Sequence, residues 1–120
     1  IRPFFLSDGY FTQSVLPAAL GLGRGWNVTS THPVCLAAPV GTHPSIHSLL
    51  EHRVAGALAA GGFDPAQTTL VIAGHGTEAN AQSSAQIYRE VQCFTESHRF
   101  AQVLPAFLDE PPFIKDVLSL

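Results

Sequence analysis

Apolar positions in this chain fall into two rhythms that alternate along its length. Short consecutive runs occur at 1–6 (IRPFFL), at 34–37 within an extended stretch 26–39, at 70–73 (LVIA) and at 101–108. Their length and their β-branched or aromatic content predict buried strands. Between them, apolar residues recur at helical spacing. Residues 13–22 place Val15, Leu16, Ala19 and Leu20 on one face, with Pro17 suited to a first turn. Residues 44–60 do so with Ile46, Leu49, Leu50, Val54, Ala57 and Leu58, entered by Pro44 and closed by Gly61-Gly62. Residues 79–97 point Ala81, Ala85, Tyr88, Val91 and Cys93 or Phe94 inward, with Glu78 where a helix dipole favours negative charge. A last face is formed by Phe113, Ile114, Val117 and Leu118. Strict strand–helix alternation with short connections predicts right-handed crossovers and an α/β fold: a parallel sheet with helices on both faces, a three-layer sandwich.

Composition narrows the classes. A chain of 120 residues fits one domain. Apolar residues make up 46% and charged residues 12%, too apolar for disorder and sparing in charge for a fully solvated surface, so part of the chain is expected to pack on something else. The formal net charge of −3, with no Lys/Arg cluster, argues against a nucleic-acid partner. The weakly polar run 54–63 is broken by glycines and is shorter than a membrane span. The start, Arg2-Pro3 leading straight into a strand-like run, does not look like a signal peptide. The sequence therefore reads as soluble and cytoplasmic. Cys35 and Cys93 are far apart and in no CxxC pair, which predicts free thiols rather than a metal knuckle.

Candidate chemistry centres on residues 68–80, TTLVIAGHGTEAN. The strand 70–73 stops at Gly74-His75-Gly76, and ligands of open α/β sheets bind beyond the carboxyl ends of strands, so His75 is presented to the crevice. The bland alternative is a loop imidazole that caps a helix. Asp109 and Glu110, before Pro111-Pro112, end the next strand. Residues 74–79 also satisfy G-x-G-x-x-A, the dinucleotide fingerprint, but its acidic partner is expected about 20 residues on. Asp109 and Glu110 lie more than thirty positions away, which leaves a dinucleotide-binding domain a remote alternative. His47 and His52 fall on the polar side of the helix 44–60, five residues apart, a poor spacing for a shared metal. His32 and His98 carry no signal.

Four motifs together carry a family resemblance: GHGT at 74–77 behind a VIA strand, FLDEP at 107–111, PFFLSDGYF at 3–11 and VGTHP at 40–44. The set resembles the sirohydrochlorin cobaltochelatase family, within the class II tetrapyrrole chelatases. That resemblance implies a lyase-type enzyme that inserts a divalent metal, cobalt or iron, into a sirohydrochlorin-type tetrapyrrole on the route to compounds such as cobalamin, with the metal as substrate and no organic cofactor. It implies His75 as metal ligand and proton acceptor. Asp109 and Glu110 are its carboxylate partners, either being open as the one that points inward, and Glu110 is the candidate second metal ligand. Ser7, Asp8, Gly9, Phe11, Gly74, Gly76 and Thr77 are the candidate substrate contacts. Imidazole suits Co²⁺ or Fe²⁺, and a carboxylate can take a pyrrole proton.

Two departures from the family pattern matter. A family half resembles a cycle that opens with the GHG strand, whereas here the PxFL and GxHP motifs precede it. The expected organisation is a segment of a two-half chelatase, with 1–67 the end of one half and 68–120 the start of the next, or else a permuted domain. The partner is then a second half in the same chain or a second copy. The other departure is Phe11, which stands where the family pattern resembles a metal-binding histidine. That favours the alternative of a non-catalytic tetrapyrrole-binding or structural half. His43 could replace the missing imidazole only if turned inward, and helix entry already explains its place.

Overall fold

A computed structural model describes residues 1–77 and 82–119, the side chains of 82 and 83 excepted. The start of the helix expected at 79–97, with Glu78, Ala79 and Ala81, lies outside the described residues. Contacts within the chain divide it into two compact units, Ile1–His43 and Pro44–Leu120.

In the first unit, strands β1 (Gly25–Val28) and β2 (Pro33–Leu36) form an antiparallel pair, with Trp26 opposite Cys35. The extended stretch read as one strand around 34–37 is thus a hairpin. Its turn is closed by Thr29, whose hydroxyl donates to the His32 carbonyl at 2.6 Å and accepts from the His32 N–H at 3.2 Å. The run 1–6 is not a regular strand. The N–H groups of Ala37, Val40 and Gly41 donate to the carbonyls of Ile1, Pro3 and Phe5 at 2.8, 3.0 and 2.9 Å. Pro3 and Pro39 lack the donors a continuous ladder needs, so the two segments pair only intermittently. Gly41 makes the close approach possible: a Cβ there would lie 2.1 Å from the Leu6 carbonyl oxygen.

The helix expected at 13–22 begins as a single π-helical turn, Phe11–Val15, and continues as α1 (Leu16–Leu20). Gly21, at φ 64°, ends it in the left-handed conformation that glycine adopts freely. The buried residue is Thr12; Val15, Ala19 and Leu20 of the expected apolar face are exposed. Thr12 and Gln13 donate backbone N–H bonds to the Gly9 carbonyl, which fixes the helix by its entry turn rather than by its apolar stripe.

In the second unit, α2 (Ser45–Gly61) matches the expected helix and is closed by Gly62 at φ 64°. Ile46, Leu50, Val54 and Leu58 are half-buried, but Leu49 and Ala57 are exposed. The parallel pair β3 (Thr69–Gly74) and β4 (Gln102–Phe107) is in register from Thr69 opposite Gln102 to Gly74 opposite Phe107. Helix α3 (Gln82–Glu96) connects them and packs on both, the crossover that a parallel pair requires. Its inward residues are Ser84, Glu90 and Phe94, with Ala85 and Tyr88 exposed, so of the positions expected to face in only Phe94 is fully buried and Val91 and Cys93 half so. The face is set by Ile87, which lies against Gly74 where a Cβ would be 2.7 Å from its Cγ1. A short α4 (Ile114–Val117) follows β4.

The class is α/β, as the alternation predicts. Among the described residues, however, the strands form two two-stranded sheets rather than one four-stranded parallel sheet. The buried apolar core is small: Leu36 in one unit, and Ile72, Phe94, Ala106 and Phe107 in the other. Large apolar side chains stay exposed, among them Phe4, Leu6, Trp26 and Val28. No helix among the described residues is long and apolar enough to cross a membrane.

Candidate active site at the carboxyl ends of the parallel strands

Strand β3 ends at Gly74 because the chain turns there onto the end of β4, and backbone bonds hold the turn. Leu108 N–H is shared between the carbonyls of Gly74 (3.2 Å) and His75 (3.1 Å), and Asp109 N–H donates to the His75 carbonyl at 3.0 Å. Gly76 sits at φ 71°, a left-handed conformation costly for a residue with a Cβ. A Cβ there would also fall 2.8 Å from Glu110 Cγ and 2.9 Å from Phe107 Cβ. Glu110 Oε1 accepts the Thr77 N–H at 3.1 Å. Phe107 is fully buried and supports the turn from below, with the Tyr88 ring 5.6 Å away. The GHG and DE motifs, thirty-odd residues apart in sequence, thus form one rim.

On that rim the His75 side chain is 75% exposed, and its Nε2 lies 3.0 Å from Asp109 Oδ2. The main chain of His75 is fixed by two bonds from the β4 end, while its ring extends from the rim and meets Asp109. Asp109 can orient the imidazole, accept a proton from it, or share an incoming cation with it. Glu110, held by the Thr77 N–H, is turned to the base of the turn. Among the described residues no three His, Cys, Asp or Glu side chains gather where they would hold a metal by themselves.

The other candidate residues lie in the first unit. Asp8 accepts from the Thr12 hydroxyl at 2.8 Å and from Arg24, and its carbonyl accepts from the Gln13 side chain at 2.9 Å. Arg24 is therefore spent on Asp8, a commitment that sequence spacing does not reveal. Ser7 and Gly9 are half-buried in this turn. Phe11 is exposed, stacked on Phe5 at 6.5 Å and edge-on to Tyr10 at 5.9 Å. His43 is exposed at the entrance to α2.

Sequence and structure comparisons agree with the motifs. The CbiX family profile matches residues 1–57. A probable sirohydrochlorin cobaltochelatase of Halobacterium salinarum is 33% identical over 98% of this chain and 46% of its own. By these matches the chain is similar to the CbiX, or sirohydrochlorin cobaltochelatase, family. Among solved structures, CbiX described as the terminal enzyme for siroheme biosynthesis in denitrifying bacteria superposes with a TM-score of 0.79 at 28% identity, covering 98% of this chain and 48% of the other. A multi-domain protein of Deinococcus radiodurans with structural similarity to chelatases gives 0.73 at 26% identity, over 94% of this chain and 25% of that one. The chain spans about half the length of the curated relative it matches.

Proposed function

We propose that this chain takes part in inserting a divalent metal, cobalt or iron, into a sirohydrochlorin-type tetrapyrrole. The observation that carries the reading is the His75–Asp109 pair, 3.0 Å apart and exposed on a rim whose backbone is fixed from beneath. Insertion requires that water be stripped from the ion, that the ion be delivered to the ring, and that two pyrrole protons leave. In this reading His75 takes the ion through a ring nitrogen and Asp109 holds the ring in position and accepts a proton. Gly74, Gly76 and Thr77 keep the rim thin enough for a flat macrocycle to approach. Glu110 latches the turn through Thr77 rather than serving as the ligand nearest the imidazole. In the N-terminal unit, Phe11 offers an aromatic face, and Ser7, Asp8 and Gly9 shape the turn that presents it.

The family resemblance, the half-length match and the exposed apolar side chains support a second chelatase half, in the same polypeptide or as a second copy of this one. The segment 1–67 then closes one half and 68–120 opens the next. Metal and macrocycle are substrates, and no step calls for an organic cofactor.

The test is to mix the protein with sirohydrochlorin and Co²⁺ and follow the absorbance spectrum. His75→Ala should slow metallation by about 10²–10⁴-fold with little change in thermal stability, since the side chain is exposed. An unchanged rate contradicts the reading. A second reading, a non-catalytic half that binds the ring, is favoured by Phe11. It predicts tetrapyrrole binding with no acceleration over the uncatalysed insertion.

A further inference from the structure

Helix α2 carries a histidine that neither the family motifs nor the rim employs. His47 was expected on the solvated side of that helix, yet it is half-buried, its ring 5.0 Å from that of Phe94. The cause is Glu90 on α3, a carboxylate with a 5% exposed side chain that lies 2.8 Å from His47 Nδ1. The other oxygen of Glu90 accepts from the Gln86 amide at 2.8 Å. Glu90 therefore engages the Nδ1 side of the imidazole. Nε2 is left as the ring nitrogen turned toward Glu51. There, one helical turn on, Glu51 Oε1 lies 3.8 Å away on a side chain that is 44% exposed.

We infer that His47 and Glu51 form a second, solvent-accessible site for a divalent transition metal such as Ni²⁺, Co²⁺ or Zn²⁺, separate from the His75 rim. Histidine ligands of metals characteristically donate their other ring N–H to a carboxylate, which orients the ring and raises its basicity. Glu90 stands in that position, and its burial makes the orientation permanent. Ligands about 2.0–2.2 Å from one ion lie about 3 to 3.5 Å apart, so a small rotation of the exposed Glu51 side chain closes the pair. Two protein ligands on one helix face leave the remaining positions to water. An ion held in that way exchanges readily, as a metal-collecting site on a metal-handling protein must.

The experiment separates this site from the rim by working in the double variant His75→Ala, Asp109→Asn, and titrates Ni²⁺ calorimetrically. One equivalent is expected to bind. Glu51→Gln, which removes an exposed carboxylate and leaves the α2–α3 packing intact, should weaken it by about tenfold or more. Glu90→Gln, which keeps an acceptor for Nδ1 but removes the charge behind it, should weaken it by about tenfold. His47→Gln should abolish it, and His52→Gln should leave it unchanged. Absence of Ni²⁺ binding in the double variant, or an affinity that neither Glu51→Gln nor Glu90→Gln lowers, overturns the inference without touching the rim.

Discussion

Two turns in this molecule that carry candidate-site motifs are held in different ways. The turn at 7–12 adds side chains to its main-chain bonds on the Gly9 carbonyl: Asp8 takes the Thr12 hydroxyl and the Arg24 guanidinium, and the residues it exposes are Tyr10 and Phe11. The turn at 74–77 is held mainly by main chain, through the Leu108 and Asp109 N–H groups, and the residue it exposes is His75. Where the backbone does the holding, the polar side chain at the tip is left for chemistry. Where polar side chains do the holding, they are consumed by it, and an aromatic surface is what remains to meet a ligand.

The largest effects are expected at the glycines. Gly41→Ala should be the most damaging change, costing about 3 kcal/mol or more, because its Cβ would overlap backbone atoms of Leu6 that have nowhere to go. Chemical denaturation would show it, and a loss under about 1 kcal/mol would mean the 1–6 segment is held loosely. Gly76→Ala combines a positive φ with contact on Glu110 and Phe107, and should cost about 1–3 kcal/mol while lowering metallation. The flexible end of Glu110 can withdraw, which makes this the milder of the two.

Arg24→Ala sharpens the contrast. The pair with Asp8 is more than one-third exposed, so its loss should cost under about 1 kcal/mol in thermal unfolding. A larger loss would mean that the side-chain-held turn is a stability element of the first unit. The smallest expected stability change is for Phe11→His, an exposed position; its effect belongs to function. A second imidazole there should raise the metallation rate of a slow chain, and no change would remove Phe11 from the account of specificity.

Much of the second unit was legible in the sequence. The helix expected at 44–60 is Ser45–Gly61, and the strand expected at 70–73 is Thr69–Gly74, because Pro44, Gly61-Gly62 and Gly74 punctuate both elements with strong local signals. The first unit was less so. Pro3 and Pro39 remove ladder donors that an apolar count over 1–6 and 34–37 cannot register. The hairpin escaped because Thr29 to His32 carries no glycine, its turn being closed by a threonine hydroxyl. Faces were harder still: His47 was placed with solvent because its partner, Glu90, lies 43 residues on, and helical spacing says nothing about a carboxylate from another helix. At the site, proximity of the GHG and DE motifs followed from parallel strands ending together. Which carboxylate faces the imidazole did not, since Asp109 and Glu110 are adjacent and only the Thr77 N–H distinguishes them.

Metal capture by the exposed His75 ring is the step on which the proposed activity depends. It is tested most directly by following the imidazole resonances of the protein by ¹⁵N-edited NMR while Zn²⁺ is added. The ring nitrogens of His75 are expected to shift with the titration, and Asp109→Asn to weaken the response. A His75 ring that does not respond at excess Zn²⁺, whatever the other histidines do, would contradict it.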